Sequence, residues 1–177
     1  MLCDRTIRKL LDSGKIGVDP LPTDECIQPA SIDLRLGEWF ISPWPQRLRF
    51  KLPAGEGVDV RPGECLLAST AETVRVPRDL IARVEGKSTF GRLFLQVHST
   101  AGFIDPGFEG QITLELSNQG RSHLNLIVGA PICQISFEWL DGPADRPYGS
   151  AGINSHYQHQ YGPTEASRLP SVEVIPL

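Results

Sequence analysis

The chain has few of the features that mark membrane, secreted or zinc-binding proteins. Its 177 residues contain no apolar run near the roughly 18 residues that a membrane helix needs. The first residues, MLCDRTIRKLL, are charged where a signal peptide is apolar. The four cysteines form no CxxC pair, which argues against structural zinc. We therefore expect a soluble cytoplasmic protein with reduced thiols and no membrane partner.

Positive charge is also scarce. The 17 Lys and Arg residues against 21 Asp and Glu residues give a net charge of −4. This balance argues against a protein that binds nucleic acid regardless of its sequence, because the global field repels polyanions. If a nucleotide triphosphate binds, a few well-placed cations and a metal ion must hold it.

Glycine and proline, by contrast, are plentiful, with 17 and 15 residues respectively. Such a content argues against a helical bundle. Apolar and polar residues alternate from Ile32 to Leu36, and Gly37 is expected to end this strand. Similar alternation recurs at 65–70, 73–76, 80–85, 93–98, 111–117, 123–128 and 132–139. Many short strands joined by tight turns predict a mainly β sandwich or barrel.

Helical patterns are confined to two short segments. Asp4 suits an N-cap, the apolar residues that follow fall on one helical face, and Gly14 marks the end of the helix. A further helical turn or two fits within 85–95. From residue 141 onward the chain is rich in Gly, Pro, Ser, His, Tyr and Gln, and its apolar residues show neither the period of a helix nor that of a strand. We expect one domain, 1–177, with 141–177 as a C-terminal lid or arm.

Several polar features suit chemistry. One predicted strand holds Thr113 and Glu115 on its polar face, and Gln134 interrupts an apolar strand. The segment 86–92 combines two glycines, two hydroxyls and two cations and could cradle phosphates, although its spacing is not that of a Walker A loop. Each feature also has a purely structural explanation. Glu115 could be a solvated carboxylate, and the Gln134 amide could be hydrogen-bonded within the protein. The segment 86–92 could be a turn that enters a helix, and Asp105 before Pro-Gly could be an ordinary turn residue.

The segments 86–92, 98–110 and 113–115, in this order, resemble the dCTP deaminase branch of the trimeric dUTPase-like superfamily. The likeness covers nearly the whole chain through further segments at 3–5, 28–37, 147–149 and 157–163. It implies a distorted β-barrel or jelly-roll of the dUTPase-like type with a short N-terminal helix. It also implies a homotrimer with active sites at the subunit boundaries, dCTP or dUTP as substrate, and Mg²⁺ bound through the triphosphate, without zinc.

The same resemblance assigns roles to particular residues. The residues that it implies for phosphate binding are Lys87, Ser88, Thr89, Phe90, Gly91 and Arg92. Asp105 would contact the deoxyribose, and Gln134 would lie near the sugar and the phosphates. The residues that would face the cytosine are Thr113, Leu114 and Glu115, and those of the closing tail are Tyr148, His156 and Gln160.

Glu115 matches the catalytic carboxylate of the family. Deamination needs a water that is deprotonated for attack at C4 of cytosine and a proton that is delivered to N3. Zinc deaminases activate that water with a metal held by HxE and PCxxC motifs, which this sequence lacks. Glu115 is therefore expected to act as general base without zinc. Ser88 would position the water, and Arg92 would bind phosphate and bias Glu115.

Gly102 and Phe103 resemble the bifunctional members of the family, in which a small and an aromatic residue replace the His-Arg pair of the monofunctional enzymes. Such members hydrolyse the dUTP that they form and release dUMP and pyrophosphate, and the dUMP supplies thymidylate synthesis. Gly102 would leave room for the second water. The resemblance also implies feedback inhibition by dTTP in the same pocket.

Two features depart from the family pattern. His156 stands where the bifunctional relatives carry a lysine, and the segment 43–60 is shorter than theirs. The alternatives are a monofunctional dCTP deaminase that releases dUTP, a dUTPase that never deaminates, and a non-catalytic nucleotide-binding regulator. The products formed from dCTP distinguish these alternatives.

Overall fold

The computed structural model of the chain describes residues 1–42 and 46–167. Its helices are α1 (Asp4–Asp12) and α2 (Ser88–Gly91), with a 3₁₀ turn at Asp24–Cys26. None of the helices in this part is long and apolar enough to cross a membrane. The strands of the first half are β1 (Gly17–Asp19), β2 (Ile27–Gln28), β3 (Ser31–Ile41), β4 (Arg49–Lys51), β5 (Gly57–Val60) and β6 (Cys65–Arg75). Those of the second half are β7 (Leu80–Gly86), β8 (Leu95–Gln96), β9 (Phe103–Ile104), β10 (Glu109–Asn118), β11 (Leu124–Ile127) and β12 (Pro131–Trp139).

Most of the described strands belong to one antiparallel sheet, whose path runs β8-β10-β6-β3-β12-β7-β9. β1 pairs with β6, β2 and β4 pair with β3, and β5 and β11 form a separate two-stranded ribbon. Strand neighbours are seldom neighbours in sequence, so the sheet is held by contacts between distant segments. The mainly β fold with a short N-terminal helix, expected from the sequence, is confirmed.

The hydrophobic core lies on one face of the alternating strands. Ile32 and Leu34 of β3 are fully buried, and so are Leu114 and Leu116 of β10. Burial of one such side chain contributes about 1.5–3 kcal/mol. Because successive side chains of a strand point to opposite faces, Glu115 lies away from this core and remains half-buried.

The expectation that Gly37 ends the first long strand is wrong, because β3 runs through it to Ile41. A Cβ at this position would lie 2.8 Å from Ser69 Oγ and 2.9 Å from the carbonyl oxygens of Ser69 and Thr70. The register between β3 and β6 also shifts across this position. Gly37 therefore permits the close approach of β6, a tertiary contact that local alternation does not reveal.

α1 begins at Asp4, but its N-cap is Cys3 rather than Asp4, which corrects that expectation. Cys3 has an extended backbone, and its carbonyl accepts hydrogen bonds from the N–H groups of Thr6 and Ile7 at 3.0 and 2.9 Å. The Asp4 N–H donates to the Pro29 carbonyl at 2.9 Å. Asp4 thus lies in the first turn, where its carboxylate interacts favourably with the positive end of the helix dipole.

The sequence predicted two strands, 65–70 and 73–76, where the structure has one, β6. β6 pairs with β3, β10 and β1 along its length, and these partners hold the strand together where local alternation is interrupted. The predicted strand 93–98 is reduced to β8. Phe94, just before β8, has a left-handed backbone conformation with φ of 62°, which a strand does not allow.

Cys133 of β12 has a fully buried thiol. Burial raises the pKa of this thiol well above its usual range, and the carboxylates of Glu72 and Asp33 raise the pKa further. Cys3 is exposed, and its hydrogen bond with Thr6 lowers the pKa of its thiol. Because the thiolate is the reactive form, the two cysteines should differ widely in reactivity.

We expect Cys133 to resist alkylation in the folded protein, while Cys3 reacts readily. Cys133 can react only when the core opens, so its rate should be at least about a thousandfold lower. Timed alkylation followed by peptide mass spectrometry measures both rates, and denaturant should bring them together. Similar rates in the folded protein would contradict this description of the β12 core.

Candidate active site

A cavity of about 600 Å³, here called the β10 cavity, lies beside β10. Its polar lining includes Thr113 and Glu115 of β10, Asp105 from the turn after β9, and Tyr148 and Gln160 from the C-terminal arm (residues 141–167). The larger aliphatic side chains of the lining are Ile41, Leu67, Ile104 and Ile112. A volume of this size, with a few polar groups among apolar walls, is typical of pockets for small organic ligands.

The Glu115 carboxylate is held at one of its two oxygens. Its Oε2 accepts a hydrogen bond from the backbone N–H of Ser99 at 2.9 Å, while within the described residues Oε1 has no hydrogen-bond partner. Glu115 also lines a smaller cavity of about 100 Å³, together with Ser99, Cys65 and Ser117. One oxygen is thus fixed, and the other is available to a ligand or a water. The sequence gives no signal for Ser99, because its backbone makes the contact.

The C-terminal arm is hydrogen-bonded to β10. The Gln111 N–H donates to the Gln160 carbonyl at 3.1 Å, and the Gln160 side-chain amide donates to the Gln111 carbonyl at 2.5 Å. The Gly162 N–H donates to Gln111 Oε1 at 2.6 Å, and the Thr164 N–H donates to Thr113 Oγ1 at 3.1 Å. The arm is therefore attached to the strand that carries Glu115, and it forms one wall of the β10 cavity.

Tyr148 holds the arm against the turn between β9 and β10. Its ring packs against Phe108 with the ring centroids 5.9 Å apart, and its hydroxyl accepts a hydrogen bond from the Tyr157 N–H at 2.9 Å. His156 is exposed and does not line the cavity. The structure thus brings Tyr148 and Gln160 into the candidate site and leaves His156 outside it.

The lining of the β10 cavity is acidic. In the described part of the chain, its charged side chains are the carboxylates of Asp105, Glu115 and Glu165 and a single cation, Arg47. Arg47 pairs with Glu165 at 3.2 Å, and both side chains are about 40% exposed, so the pair contributes at most about 1 kcal/mol. Sequence analysis missed this pair, because it joins residues 118 positions apart. A polyanionic ligand would need additional cations from another surface.

Gly102 lies where β7 approaches the segment before β9. Its carbonyl accepts a hydrogen bond from the Val84 N–H at 2.7 Å. A Cβ at residue 102 would lie 2.6 Å from the Val84 carbonyl oxygen and 2.9 Å from His98 Nε2, so a side chain does not fit without backbone movement. The neighbouring Phe103 lines the cavity and is 52% exposed, with the Arg83 guanidinium 5.3 Å from its ring centroid.

Residues 87–92, which the resemblance assigns to phosphate binding, lie outside the β10 cavity. They comprise the single helical turn α2 and its flanks, and Ser88 and Arg92 are exposed. Lys87 forms an ion pair with the buried carboxylate of Asp33. Arg92 makes no ion pair within residues 1–42 and 46–167.

Gln134 and Leu114 also lie apart from that cavity. Gln134 Oε1 accepts a hydrogen bond from the Ser31 hydroxyl at 3.1 Å, and Nε2 donates to the Gly86 carbonyl at 3.4 Å, which puts Gln134 at the start of the 87–92 segment. The Leu114 side chain is fully buried in the core. The predicted site residues therefore form a cavity group (Asp105, Thr113, Glu115, Tyr148 and Gln160) and a loop group (residues 87–92 and Gln134).

Metal ligands are not clustered in the described residues. No three His, Cys, Asp or Glu side chains in 1–42 and 46–167 lie close enough together to hold a metal ion. The β10 cavity does provide the carboxylate oxygens of Asp105, Glu115 and Glu165, and Mg²⁺ commonly takes one or two carboxylates together with substrate phosphates.

Comparison with known proteins identifies the family. A model of the dCTP deaminase-like family matches residues 1–140, which is most of the chain. The chain therefore belongs to the dCTP deaminase-like family. A relative from Methanobrevibacter smithii, named dCTP deaminase, dUMP-forming, is 44% identical in sequence over 96% of this chain and 95% of its own.

Solved structures share the fold. The 2'-deoxycytidine 5'-triphosphate deaminase of Agrobacterium tumefaciens matches 78% of this chain with a TM-score of 0.67 and 24% identity; this chain covers 47% of that longer chain. The dUTPase of Staphylococcus bacteriophage 80alpha matches 82% of this chain and 95% of its own, with a TM-score of 0.52 and 14% identity. The expected dUTPase-like fold is confirmed.

Proposed function

We propose that this chain deaminates dCTP and then hydrolyses the dUTP that forms. In the first step dCTP and water give dUTP and ammonia, and in the second dUTP and water give dUMP and pyrophosphate. The observation that carries the proposal is the β10 cavity, where Glu115 lies with Asp105 and Thr113 in a chain of the dCTP deaminase-like family. The relative from Methanobrevibacter smithii is named for the same reaction and product.

Glu115 is the proposed general base. Its unpaired Oε1 takes a proton from a water as the water attacks C4 of cytosine, and the resulting carboxyl group delivers that proton to N3. The carboxylate then carries the proton of the new C4 hydroxyl to the amino group, so that the C4–N bond breaks and ammonia leaves. The hydrogen bond from the Ser99 N–H supports this role, because it limits rotation of the carboxylate. Positioned acid and base groups of this kind typically accelerate a reaction about 10²–10⁴-fold.

The other members of the cavity group would recognise the nucleoside. Asp105 can accept a hydrogen bond from a deoxyribose hydroxyl, since a carboxylate only accepts. The Thr113 hydroxyl and the Gln160 amide, whose oxygens lie 3.4 Å apart, can contact the polar edge of the base. In this proposal residues 1–177 act as one unit with 141–177 as the lid, of which 168–177 lie outside the described residues.

The phosphates would be bound by the loop group of a neighbouring copy. The acidic lining of the β10 cavity supports this division, because a triphosphate needs more positive charge than Arg47, the one cation in the described lining, supplies. Ser88 and Arg92 are exposed and therefore accessible to a second subunit. We thus propose a homotrimer with sites at its subunit boundaries, in which Ser88 positions the water and Arg92 binds phosphate.

Mg²⁺ would arrive with the triphosphate and neutralise part of its charge. Binding through the phosphates is common for this ion in nucleotide sites. dTTP is proposed to compete for the same cavity as a feedback inhibitor. For the second step, Phe103 lines the cavity next to Gly102, which supports a role for this pair in hydrolysis of dUTP.

The products formed from dCTP test the proposed function. In the presence of Mg²⁺ we expect dUMP, ammonia and pyrophosphate in equal amounts, measured by chromatography and an ammonia assay. Release of dUTP alone would establish the monofunctional deaminase instead. Turnover of dUTP without turnover of dCTP would establish a dUTPase, and binding of dCTP without any product would indicate a regulator.

Glu115→Gln should remove the base and keep the shape of the side chain. We expect the deamination rate to fall by at least about 10²–10⁴-fold, while calorimetry shows little change in the affinity for dCTP. Glu109→Gln is the matched control, because Glu109 lies on the same strand and does not line the cavity. A Glu115→Gln variant that retains near-normal turnover would exclude Glu115 as the base.

Mixing two inactive variants tests whether sites are shared between subunits. Glu115→Gln damages the cavity group, and Arg92→Ala damages the loop group. In an equal mixture that is denatured and refolded together, one boundary in four joins an intact cavity group to an intact loop group. The mixture should therefore recover about one quarter of the wild-type activity. Each variant refolded alone is the control. No recovery in a mixture that sediments as a trimer would indicate that each site lies within one subunit.

A further inference from the structure

A polar cluster lies under the start of the 87–92 segment, where β3 and β12 pair. Asp33 of β3 and Gln134 of β12 are directly opposite each other in the sheet. Asp33 Oδ2 contacts the Lys87 ammonium and accepts a weaker hydrogen bond from Gln28 Nε2 at 3.4 Å. Gln134 is held by Ser31 and reaches the Gly86 carbonyl, as described above. The cluster therefore connects β3 and β12 to the Gly86 carbonyl and the Lys87 ammonium, at the start of the loop group.

Asp33 is poorly explained by stability alone. Its side chain is only 7% exposed, and its Oδ1 is buried with no hydrogen-bond partner among the described residues. A buried carboxylate with an unsatisfied oxygen is unfavourable, and a buried ion pair is often no more stabilising than apolar residues of the same volume. Retention of such a group points to a task other than holding the fold.

Glu72, a second buried carboxylate, shows the contrast. Its Oε1 accepts a hydrogen bond from Arg35 Nε at 2.7 Å, and its Oε2 accepts one from the Arg35 N–H at 2.9 Å. Both oxygens are satisfied by one residue of the adjacent strand, and among the described residues neither is hydrogen-bonded to the loop group. Asp33, by contrast, has as its cationic partner the first residue of the 87–92 segment.

We infer that Asp33 is a positioning residue for phosphate binding, which fixes the Lys87 ammonium before the nucleotide arrives. The inference rests on the proposed function, in which the 87–92 segment binds the triphosphate. A lysine ammonium has three N–H donors, so one can remain with Asp33 while the others face phosphate oxygens. The Lys87 side chain is 27% exposed, which leaves its ammonium within reach of a ligand.

The physical gain is preorganisation. A lysine side chain has four flexible bonds, and ordering them when a ligand binds reduces the affinity. The buried Asp33 carboxylate orders the ammonium in the free protein instead. Asp33 would therefore act on substrate binding through Lys87 and not on the chemical step.

Asp33→Asn tests this role, because it removes the charge and keeps the shape. We expect the KM for dCTP to rise roughly three- to tenfold, which corresponds to the ordering of one long side chain, with kcat changed much less. In a Lys87→Met background the same substitution should have no further effect on KM, since the partner through which it acts is absent. An unchanged KM, or an equal rise with and without Lys87, would overturn the inference.

Glu72→Gln is the matched control for the loss of a buried carboxylate. We expect it to lower the melting temperature, because it breaks the paired contacts with Arg35, without raising KM. If Asp33→Asn does not fold, Asp33→Glu replaces it: this variant keeps the charge but displaces the carboxylate by one methylene, and it should also raise KM. An Asp33→Glu variant with the wild-type KM would then overturn the inference.

A separate binding measurement distinguishes this inference from the proposed function. If the wild-type protein does not turn over dCTP, the proposed function has failed. Calorimetry with dCTP on the wild type, Asp33→Asn, Lys87→Met and the double variant still tests the positioning role. The role is supported if Asp33→Asn weakens dCTP binding when Lys87 is present but has no effect on it in the Lys87→Met background. Equal dCTP affinity of the wild type and Asp33→Asn rejects the role.

Discussion

The pairing of β10 with β6 is the interaction on which the candidate site depends. Its register shifts between Gln111 and Thr113, and the Ile112 N–H, which the shift takes out of the ladder, donates to the buried Thr70 Oγ1 at 3.0 Å. A bulge of this kind redirects the side chains that follow it, and it is tolerated because the displaced N–H has a partner. Gln111, on one side of the bulge, contacts the arm, and Thr113 and Glu115, on the other side, line the cavity. The bulge therefore separates the part of β10 that docks the arm from the part that carries Glu115.

The β10 cavity and the loop group carry opposite charge. The cavity lining carries the carboxylates of Asp105, Glu115 and Glu165, and the exposed Arg92 lies on a different part of the same chain. Coulomb repulsion in a partly buried cavity disfavours a triphosphate until cations approach it. In the proposed trimer, a chain with a net charge of −4 would avoid nonspecific anions and still bind one class of anion where two subunits meet.

The sequence predicted what depends on local pattern and missed what depends on contact between distant segments. Alternation predicted the sheet and the outward face of Glu115, because a period of two is preserved wherever one face of a strand is buried. It was misleading at Gly37, where the close approach of β6 and not a turn requires glycine. Ser99 acts through its backbone, and Asp33 meets Lys87 across 54 positions, so neither has a signature in the sequence. Resemblance supplied the 87–92 segment, whose separation from the β10 cavity only the fold reveals.

Packing against β7 already requires glycine at position 102, whatever its role in hydrolysis of dUTP. The resemblance connects Gly102 with hydrolysis of dUTP through the space that it leaves for a second water. In this fold packing already requires glycine there, since any Cβ would lie 2.6 Å from the Val84 carbonyl oxygen. A histidine at this position, as in the monofunctional pattern, therefore needs a different backbone path between β7 and β9. Enzymes that release dUTP and enzymes that form dUMP should consequently differ in the backbone around residue 102. The backbone path between β7 and β9 also determines that the neighbouring Phe103 lies at the cavity.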